Sequence, residues 1–324
     1  MGARIIGTGS AVPSTCLTND DLAGRVDTNH KWIVTRTGIQ ERRVLRQDEG
    51  LLDLIHTASE TALKAAGLSA QDLDVILVAT VSGEYAFPST ACLLQTRLGV
   101  DNIPAFDVAA ACAGFVYGMS VAHSYLKSGE YNRILLVGAD ALSSMVNWGD
   151  RTTCVLFGDG AGAVVLENQP NDQGLLSTVV ESSGGLWQLL HVRSGLRQTF
   201  DQAGEQEPDW GIQMKGPELF KVAVRALSDV TRKALEKAGL TPEDIKLMVP
   251  HQANLRIIQA VADRLGASMD KVHCNVDRFG NTSAASIPIA LDEAVREGKV
   301  QTDDIVVLNG CGGGLTWGAS VARW

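Results

Sequence analysis

Among its six cysteines (Cys16, Cys92, Cys112, Cys154, Cys274 and Cys311) the sequence has no C-x-x-C pair and no dense framework. That removes a zinc ribbon and a disulfide scaffold from consideration and fits reduced thiols. There is no uninterrupted apolar run of about eighteen residues, and the opening "MGARIIGTGSAVP" lacks the long apolar core of a signal peptide. Basic residues are outnumbered, 28 Lys and Arg against 37 Asp and Glu, giving a formal charge of −9 and a pI near 5.2. A general affinity for nucleic acid or anionic membrane is thereby excluded, and an acidic partner would need a local basic patch. What is present, 45% hydrophobic and 20% charged residues over 324 positions, is the composition of a soluble globular protein. The expected location is cytoplasmic, and the length suits one large domain or two fused halves of about 150 residues each.

An internal duplication favours two halves. "ALKAAGLSAQD" from Ala62 and "ALEKAGLTPED" from Ala234 share six of eleven residues at an offset of 172. Each reads as an amphipathic helix closed by a Gly-Leu cap, then a turn and a buried strand. A second pair, the segment from Ala109 and the segment from Arg278, repeats a pattern of small-residue turn, helix, glycine and apolar strand. Aligned on those glycines, at an offset of 169, Cys112 falls opposite Asn281. Helices alternating with buried strands, twice over, predict an α/β chain with two similar halves about a pseudo-twofold axis, divided at 1–170 and 171–324.

The chemistry-bearing residues stand at the turns of these repeats. "FDVAAACAGF" places Cys112 among residues with almost no side chain, just ahead of a helix, where the helix N-terminus is expected to lower the thiol pKa. "PHQANLRI" sets His251 and Asn254 after a strand, and "GNTSAAS" sets Asn281 before a helix. Together they offer a nucleophile, a titratable base or donor, and amide donors for a developing oxyanion or enolate. Taken singly, each has a structural alternative: a cysteine as a small hydrophobe, a satisfied core histidine, an asparagine as a helix cap. Of two glycine runs, "GDGAGA" from Gly158 lacks the dinucleotide-binding spacing and a following helix. "GCGGGLTWG" from Gly310 follows an apolar strand and exposes backbone N–H groups suited to an oxyanion hole. Lys221 and Arg225 share a helix face, and Arg256 and Arg264 follow the His251 motif, so the four form a candidate cationic rim.

Over essentially its whole length, from "IIGTGSAVP" through "KWIVTRTGIQERR", "AFPSTACLLQ", "FDVAAACAGF", "GDRTTCVLFGDGAGAVVLE", "HQANLRI" and "GNTSAAS" to "GGGLTWG", the chain resembles the β-ketoacyl-[acyl-carrier-protein] synthase III family. These are condensing enzymes of the thiolase superfamily. The resemblance implies a thiolase-like fold layered α-β-α-β-α. It implies transfer of an acyl group from acyl-CoA to Cys112, then decarboxylative condensation with malonyl-acyl carrier protein to a 3-ketoacyl product, CO2 and CoA. His251 and Asn281 would stabilise the enolate, and the N–H groups of Cys112 and Gly313 would form the oxyanion hole. CoA would lie on Thr28, Trp32, Arg36, Arg151 and Asn254, with adenine between Trp32 and Arg151. Phe87 of a partner subunit in a homodimer, Leu156 and Cys311 would form the acyl pocket. Lys221, Arg225, Arg256 and Arg264 would receive the acidic carrier protein, and no cofactor or metal is implied. Relatives also prime polyketide and other secondary-metabolite pathways. Two departures stand out: Cys311 where relatives carry phenylalanine, and Asp263 where a lysine is frequent.

Overall fold

Two helices that end in the same Gly-Leu hook establish the register between the halves. The computed structural model describes residues 2–169, 173–193 and 210–324. The chain begins with β1 (Gly2–Ala11), β2 (Cys16–Thr18), α1 (Asn19–Ala23), α2 (His30–Thr37), β3 (Glu41–Arg43) and α3 (Leu51–Ala66). It continues through β4 (Val75–Ala79), α4 (Thr90–Leu98), β5 (Ala105–Val108), α5 (Gly114–Ser128), β6 (Arg133–Ala141) and β7 (Asp159–Gln169). Next come β8 (Gly174–Ser182), β9 (Leu190–His191), β10 (Gln213–Met214), α6 (Gly216–Lys237), β11 (Leu247–Pro250) and α7 (Leu255–Leu265). Last are α8 (Val276–Phe279), α9 (Ser286–Arg296), β12 (Ile305–Gly312) and β13 (Thr316–Arg323). After α3 and after α6 a glycine with positive φ reverses the chain, and the next leucine donates its N–H back to Leu63 O (3.0 Å) and to Leu235 O (2.9 Å) respectively. This is the hook that "AGL" predicts.

One sheet has the order β1-β7-β6-β4-β5, the other β11-β12-β13-β8. In the first, β4 runs parallel to β5 and β6, while β7 is antiparallel to β6 and β1. The second repeats this with β11 parallel to β12 and β13 antiparallel to β12 and β8. Its counterpart of β5 shrinks to a single bridge between Met248 and Val272. Helices α5 and α9 lie between the sheets, α3 and α4 cover the first, and α6 and α7 cover the second. This is the five-layered arrangement α-β-α-β-α. The central helices can sit there because they are apolar nearly all round, as in Ser286–Asp292 of α9, where every residue is buried.

The run "GDGAGA" serves packing. A side chain on Gly162 of β7 would stand 2.7 Å from the backbone N of Ile289, so α9 can lie on the strand only where glycine leaves room. Residues before α3 cross to the other half: Leu17, Leu22, Ile33 and Ile39 join the apolar cluster built by Val224 and Leu227 of α6 with Ile258 and Val261 of α7. Arg42, fully buried, fastens that excursion by donating to Leu17 O (3.1 Å), Asn19 Oδ1 (2.9 Å) and Val155 O (2.8 Å).

The structure corrects one alignment. The turns Ala111–Ala113 and Ser283–Ala285, the starts of α5 and α9, and the starts of β6 and β12 all correspond at the offset of 172. Ala111 (φ +46°) and Ser283 (φ +52°) share the same left-handed backbone. Cys112 is therefore equivalent to Ala284, and Asn281 to Ala109. The glycines after the two helices mislead because α9 is about one turn, four residues, shorter than α5, a loss that the longer loop before β12 makes up.

Candidate active site

Cys112 sits in the turn between β5 and α5, and its thiol is buried, 5% exposed. Its backbone amide faces Gly312 at the end of β12, where a Cβ would stand 2.5 Å from Cys112 N and 3.0 Å from Ala113 N. Glycine at 312 thus keeps the Cys112 N–H uncovered. Gly313 lies one residue further, where a Cβ would meet Leu190 O at 3.0 Å. Ser283 Oγ donates to Cys112 Sγ across 3.4 Å. The expected lowering of the thiol pKa is not found: burial pushes it up to about 12, the Asp140 charge adds to this, and the Ser283 hydroxyl opposes it. Desolvation of a thiolate outweighs the helix end here, because a shell of apolar residues replaces the water that would have stabilised the charge.

His251 follows β11, held by its N–H to Asn309 O at 2.7 Å. Its Nδ1 lies 2.6 Å from Ser286 Oγ, at the first turn of α9. That hydroxyl also accepts the Gln252 N–H (3.3 Å), which leaves it one proton and one lone pair towards Nδ1; donation of that proton to Nδ1 is the arrangement that puts the imidazole hydrogen on Nε2. Burial pushes His251 down to about 4, which leaves the ring neutral at physiological pH. Asn281 is fixed by N–H donation to Leu156 O (2.9 Å), and its Oδ1 accepts the Ser283 N–H (2.9 Å). The amide NH2 is thereby turned to the cavity.

Cys112, His251, Asn281, Leu156 and Cys311 line one cavity of about 800 Å³, flanked by Leu190 of β9 and Met214 of β10. Trp32, Arg36, Asn254, Lys221 and Arg256 belong to the same lining. The Arg36 and Arg151 guanidinium groups lie 4.9 and 5.3 Å from the Trp32 ring centre. Arg151 also holds Asp27 O at 2.5 Å, so the slot between Trp32 and Arg151 is closed and a purine would have to displace the guanidinium. Asn254 caps α7 through the Arg256 N–H (2.8 Å) and donates to Arg36 O (3.1 Å), tying α7 to α2. Thr28 lies off the cavity with its buried hydroxyl unpartnered. Phe87, 86% exposed, projects from the loop after β4 and takes no part in its own chain's cavity. Arg225, beside Asp229 (3.6 Å), and Arg264, whose carbonyl accepts from Arg232, are exposed and lie off the lining.

Three polar residues of the site escaped the sequence reading: Ser283, Ser286 and Asp140. Asp140, fully buried near the end of β6, accepts from Thr80 Oγ1 (3.1 Å), Val81 N (2.9 Å), Ser82 Oγ (2.8 Å) and Ala284 N (3.2 Å). The pseudo-twofold explains the last contact. Ala284 N is the counterpart of Cys112 N, and Asp140 is the counterpart of Gly312. In one half a carboxylate fills the turn; in the other, the matching position is a glycine and the amide is left uncovered. An Asp inside the apolar run "ILLVGADAL" was the available signal, since a charge is retained in a buried strand only for a specific partner.

Comparison with known proteins agrees with this geometry. Models of 3-oxoacyl-[acyl-carrier-protein] synthase III match residues 106–184, and of its C-terminal region residues 235–324. The chain is 48% identical over 324 residues to β-ketoacyl-[acyl-carrier-protein] synthase III of Aquifex aeolicus, covering 100% of both chains. To the protein of that name from Xylella fastidiosa it is 50% identical over 322 residues, 99% of this chain and 98% of the relative. The Aquifex aeolicus crystal structure superimposes with a TM-score of 0.93 at 47% identity over the full length of both chains. The priming β-ketosynthase of the R1128 polyketide pathway does so at 0.92 and 35% identity, over 99% of this chain and 96% of that one. A buried cysteine at a helix start, a histidine and an asparagine on the same cavity and this five-layered fold occur together with those matches, and the chain belongs to the β-ketoacyl-[acyl-carrier-protein] synthase III family.

Proposed function

We propose that this chain catalyses the initiating condensation of type II fatty acid synthesis, with Cys112 as nucleophile and His251 and Asn281 as enolate-stabilising donors. One observation carries the reading: a thiol, a neutral imidazole and an amide, those of Cys112, His251 and Asn281, share one cavity that ends among cationic and aromatic side chains. Cys112 attacks the acyl-CoA thioester carbonyl. The Cys112 N–H, uncovered at Gly312 and aided by the Gly313 segment, receives the oxyanion. CoA leaves, and malonyl-acyl carrier protein enters. Loss of CO2 generates the carbanion, so no strong base, metal or redox cofactor is needed. His251 and Asn281 donate to the thioester oxygen as the enolate forms, and its carbon attacks the acyl-enzyme. His251 suits this part in the tautomer whose Nδ1 accepts from Ser286, which turns an Nε2–H donor to the substrate.

Lys221 and Arg256 at the cavity, with Arg225 and Arg264 further out, suit an acidic carrier protein at the surface of a chain whose net charge is −9. Trp32, Arg36, Arg151 and Asn254, with Thr28 nearby in sequence, suit CoA. The exposed Phe87 suits insertion into a second subunit, and sedimentation of a fully active 34.5 kDa species alone would refute that homodimer. The two halves meet at the site, residues 1–170 giving the cysteine and 171–324 the histidine and asparagine. No described helix is long and apolar enough to cross a membrane, and a cytoplasmic location fits.

Intact-mass measurement with a panel of acyl-CoAs tests the reading. An acyl adduct lost in Cys112→Ala is expected, followed by CO2 release once malonyl-acyl carrier protein is added. His251→Ala and Asn281→Ala are expected to form the adduct but fail to condense; loss of both steps in parallel would sink the assignment. A second reading, priming of a polyketide pathway, keeps every step but prefers a bulkier acyl group. Cys311 in the cavity wall favours it, and the same panel decides.

A further inference from the structure

The proposed condensation needs the Asn281 NH2 aimed at one place, and the Asn281 backbone alone does not aim it. That backbone is fastened on both sides to the segment before β7, through Asn281 N–H to Leu156 O (2.9 Å) and Gly158 N–H to Asn281 O (3.0 Å). The side-chain amide can still rotate. Among the described residues its one hydrogen bond is to the Ser283 N–H, 2.9 Å from Oδ1. A backbone N–H only donates, so it selects the amide oxygen and leaves the NH2 for the cavity. The direction of the Ser283 N–H therefore sets the direction of the Asn281 donor.

Ser283 does not hold that direction by itself. Its φ of +52° is a left-handed conformation that a residue with a side chain keeps only under constraint. The constraint comes from one face of β6, where Gly138 and Asp140 stand two residues apart and point the same way. A Cβ on Gly138 would stand 2.2 Å from Ala284 O, and Asp140 Oδ2 accepts the Ala284 N–H at 3.2 Å. Gly138 thus admits the turn and Asp140 binds it. The carboxylate is itself aimed, because Oδ1 is taken by Thr80 Oγ1 (3.1 Å), Val81 N (2.9 Å) and Ser82 Oγ (2.8 Å), which leaves Oδ2 for Ala284. At the offset of 172 the other half has glycine in both places. Gly310 admits Cys112 O just as Gly138 admits Ala284 O, but Gly312 supplies no clamp.

We propose that Asp140 is a positioning residue for Asn281: by binding the Ala284 N–H it fixes the turn whose Ser283 N–H orients the Asn281 amide. Asp140 is fully buried and lies off the cavity lining, so it touches no substrate and acts only through the turn. The part calls for a carboxylate. Two acceptor oxygens are needed, one for the donors after β4 and one for Ala284, and an amide of the same shape offers only one. In Asp140→Asn an NH2 group would confront either the Ala284 N–H or the three donors at Oδ1.

The role rests on the proposed condensation, and a double-mutant cycle separates the two. Asp140→Asn, Asn281→Ala and the double variant are compared in single-turnover assays, with acyl-enzyme counted by intact mass and condensation followed as CO2 released on adding malonyl-acyl carrier protein. Asp140→Asn should condense about tenfold more slowly while acylating at close to the native rate. Placed in Asn281→Ala, the same change should cost nothing further, because the amide it acts through is gone. A further tenfold loss in that background, equal loss in both steps, or native condensation by Asp140→Asn each overturns the role and leaves the condensation standing. Native condensation by Asn281→Ala overturns the reading of Asn281 and the role with it. Urea unfolding checks that each variant folds. If Asp140→Asn does not, Thr80→Val takes its place in the cycle: it frees one anchor of Oδ1 and should slow condensation about threefold, again only while Asn281 is present. Thr80→Val with native condensation, or with a loss that persists in Asn281→Ala, overturns the role.

Discussion

Cys311→Phe fills part of the cavity wall and reads out which primer the native wall admits. Cys311 lies on β12 opposite Trp317 of β13, 9% exposed, in the same apolar cluster as Leu156. A phenyl ring in place of a thiol adds five heavy atoms, about 80 Å³, to a wall that has little slack. That removes about a tenth of a cavity of about 800 Å³, the space of about three methylene groups. Each methylene that loses its buried place forfeits about 0.8 kcal/mol, so about 2.4 kcal/mol is expected, or roughly fiftyfold in kcat/KM for medium-chain primers. Acetyl-CoA has no carbons that reach so far and should be nearly unaffected. The assay is competition among acetyl-, branched and medium-chain acyl-CoAs on one enzyme sample, because any folding defect then scales all primers alike. Equal loss across the series, or an unchanged order of preference, would refute a pocket role for Cys311.

Ser286→Ala releases Nδ1 of His251 and lets the ring adopt either tautomer, so condensation should fall about tenfold at unchanged acylation; single-turnover assays of the two steps check it. Gly312→Ala sets a methyl about 2.5 Å from Cys112 N. Acyl transfer should drop by about 10²–10³ in a variant that still folds, seen as slow adduct formation beside an unfolding curve of native shape. Stability should depend on His251. Its folded pKa, about 4, lies below the unfolded value of about 6.5, so the unfolded chain binds the extra proton and stability is full above about pH 6.5 and lost towards pH 4. That part amounts to about 3 kcal/mol and should be missing from His251→Gln in urea titrations; parallel pH slopes for the two proteins would contradict it.

The repeats were legible where local sequence dictates local structure. "AGLSAQD" and "AGLTPED" hold the glycine, leucine and acidic residue that close a helix and open the next turn, and tertiary packing left them alone. The register of the second repeat was not legible, because helix length is settled by how α9 fits between the sheets, and a glycine marks only where a helix stops. Cys112, His251 and Asn281 stood out as candidates because each lies at a strand or helix end in an otherwise apolar context, and the structure brings the three to one cavity. The thiol's ionisation could not, since it depends on what covers the sulfur: Gly312, Ser283 and Asp140 arrive from segments far away in sequence. Trp32 and Arg36 sit one helical turn apart and announce their contact, whereas nothing local tells that Arg151 will reach the same ring.

The carboxylate seated on Ala284 N bears on labelling stoichiometry. The chain owns two copies of the turn that uncovers a backbone amide at a helix start, yet only one copy can receive a substrate oxygen. Asp140 behaves towards the other as a tethered competitor whose effective concentration no dissolved thioester can match. A duplicated scaffold would otherwise offer acyl-CoA two rival anion seats, one of them with alanine where the nucleophile belongs. With that seat occupied from within and Cys112 as the proposed nucleophile, titration with a slow acyl donor is expected to saturate at one equivalent per chain.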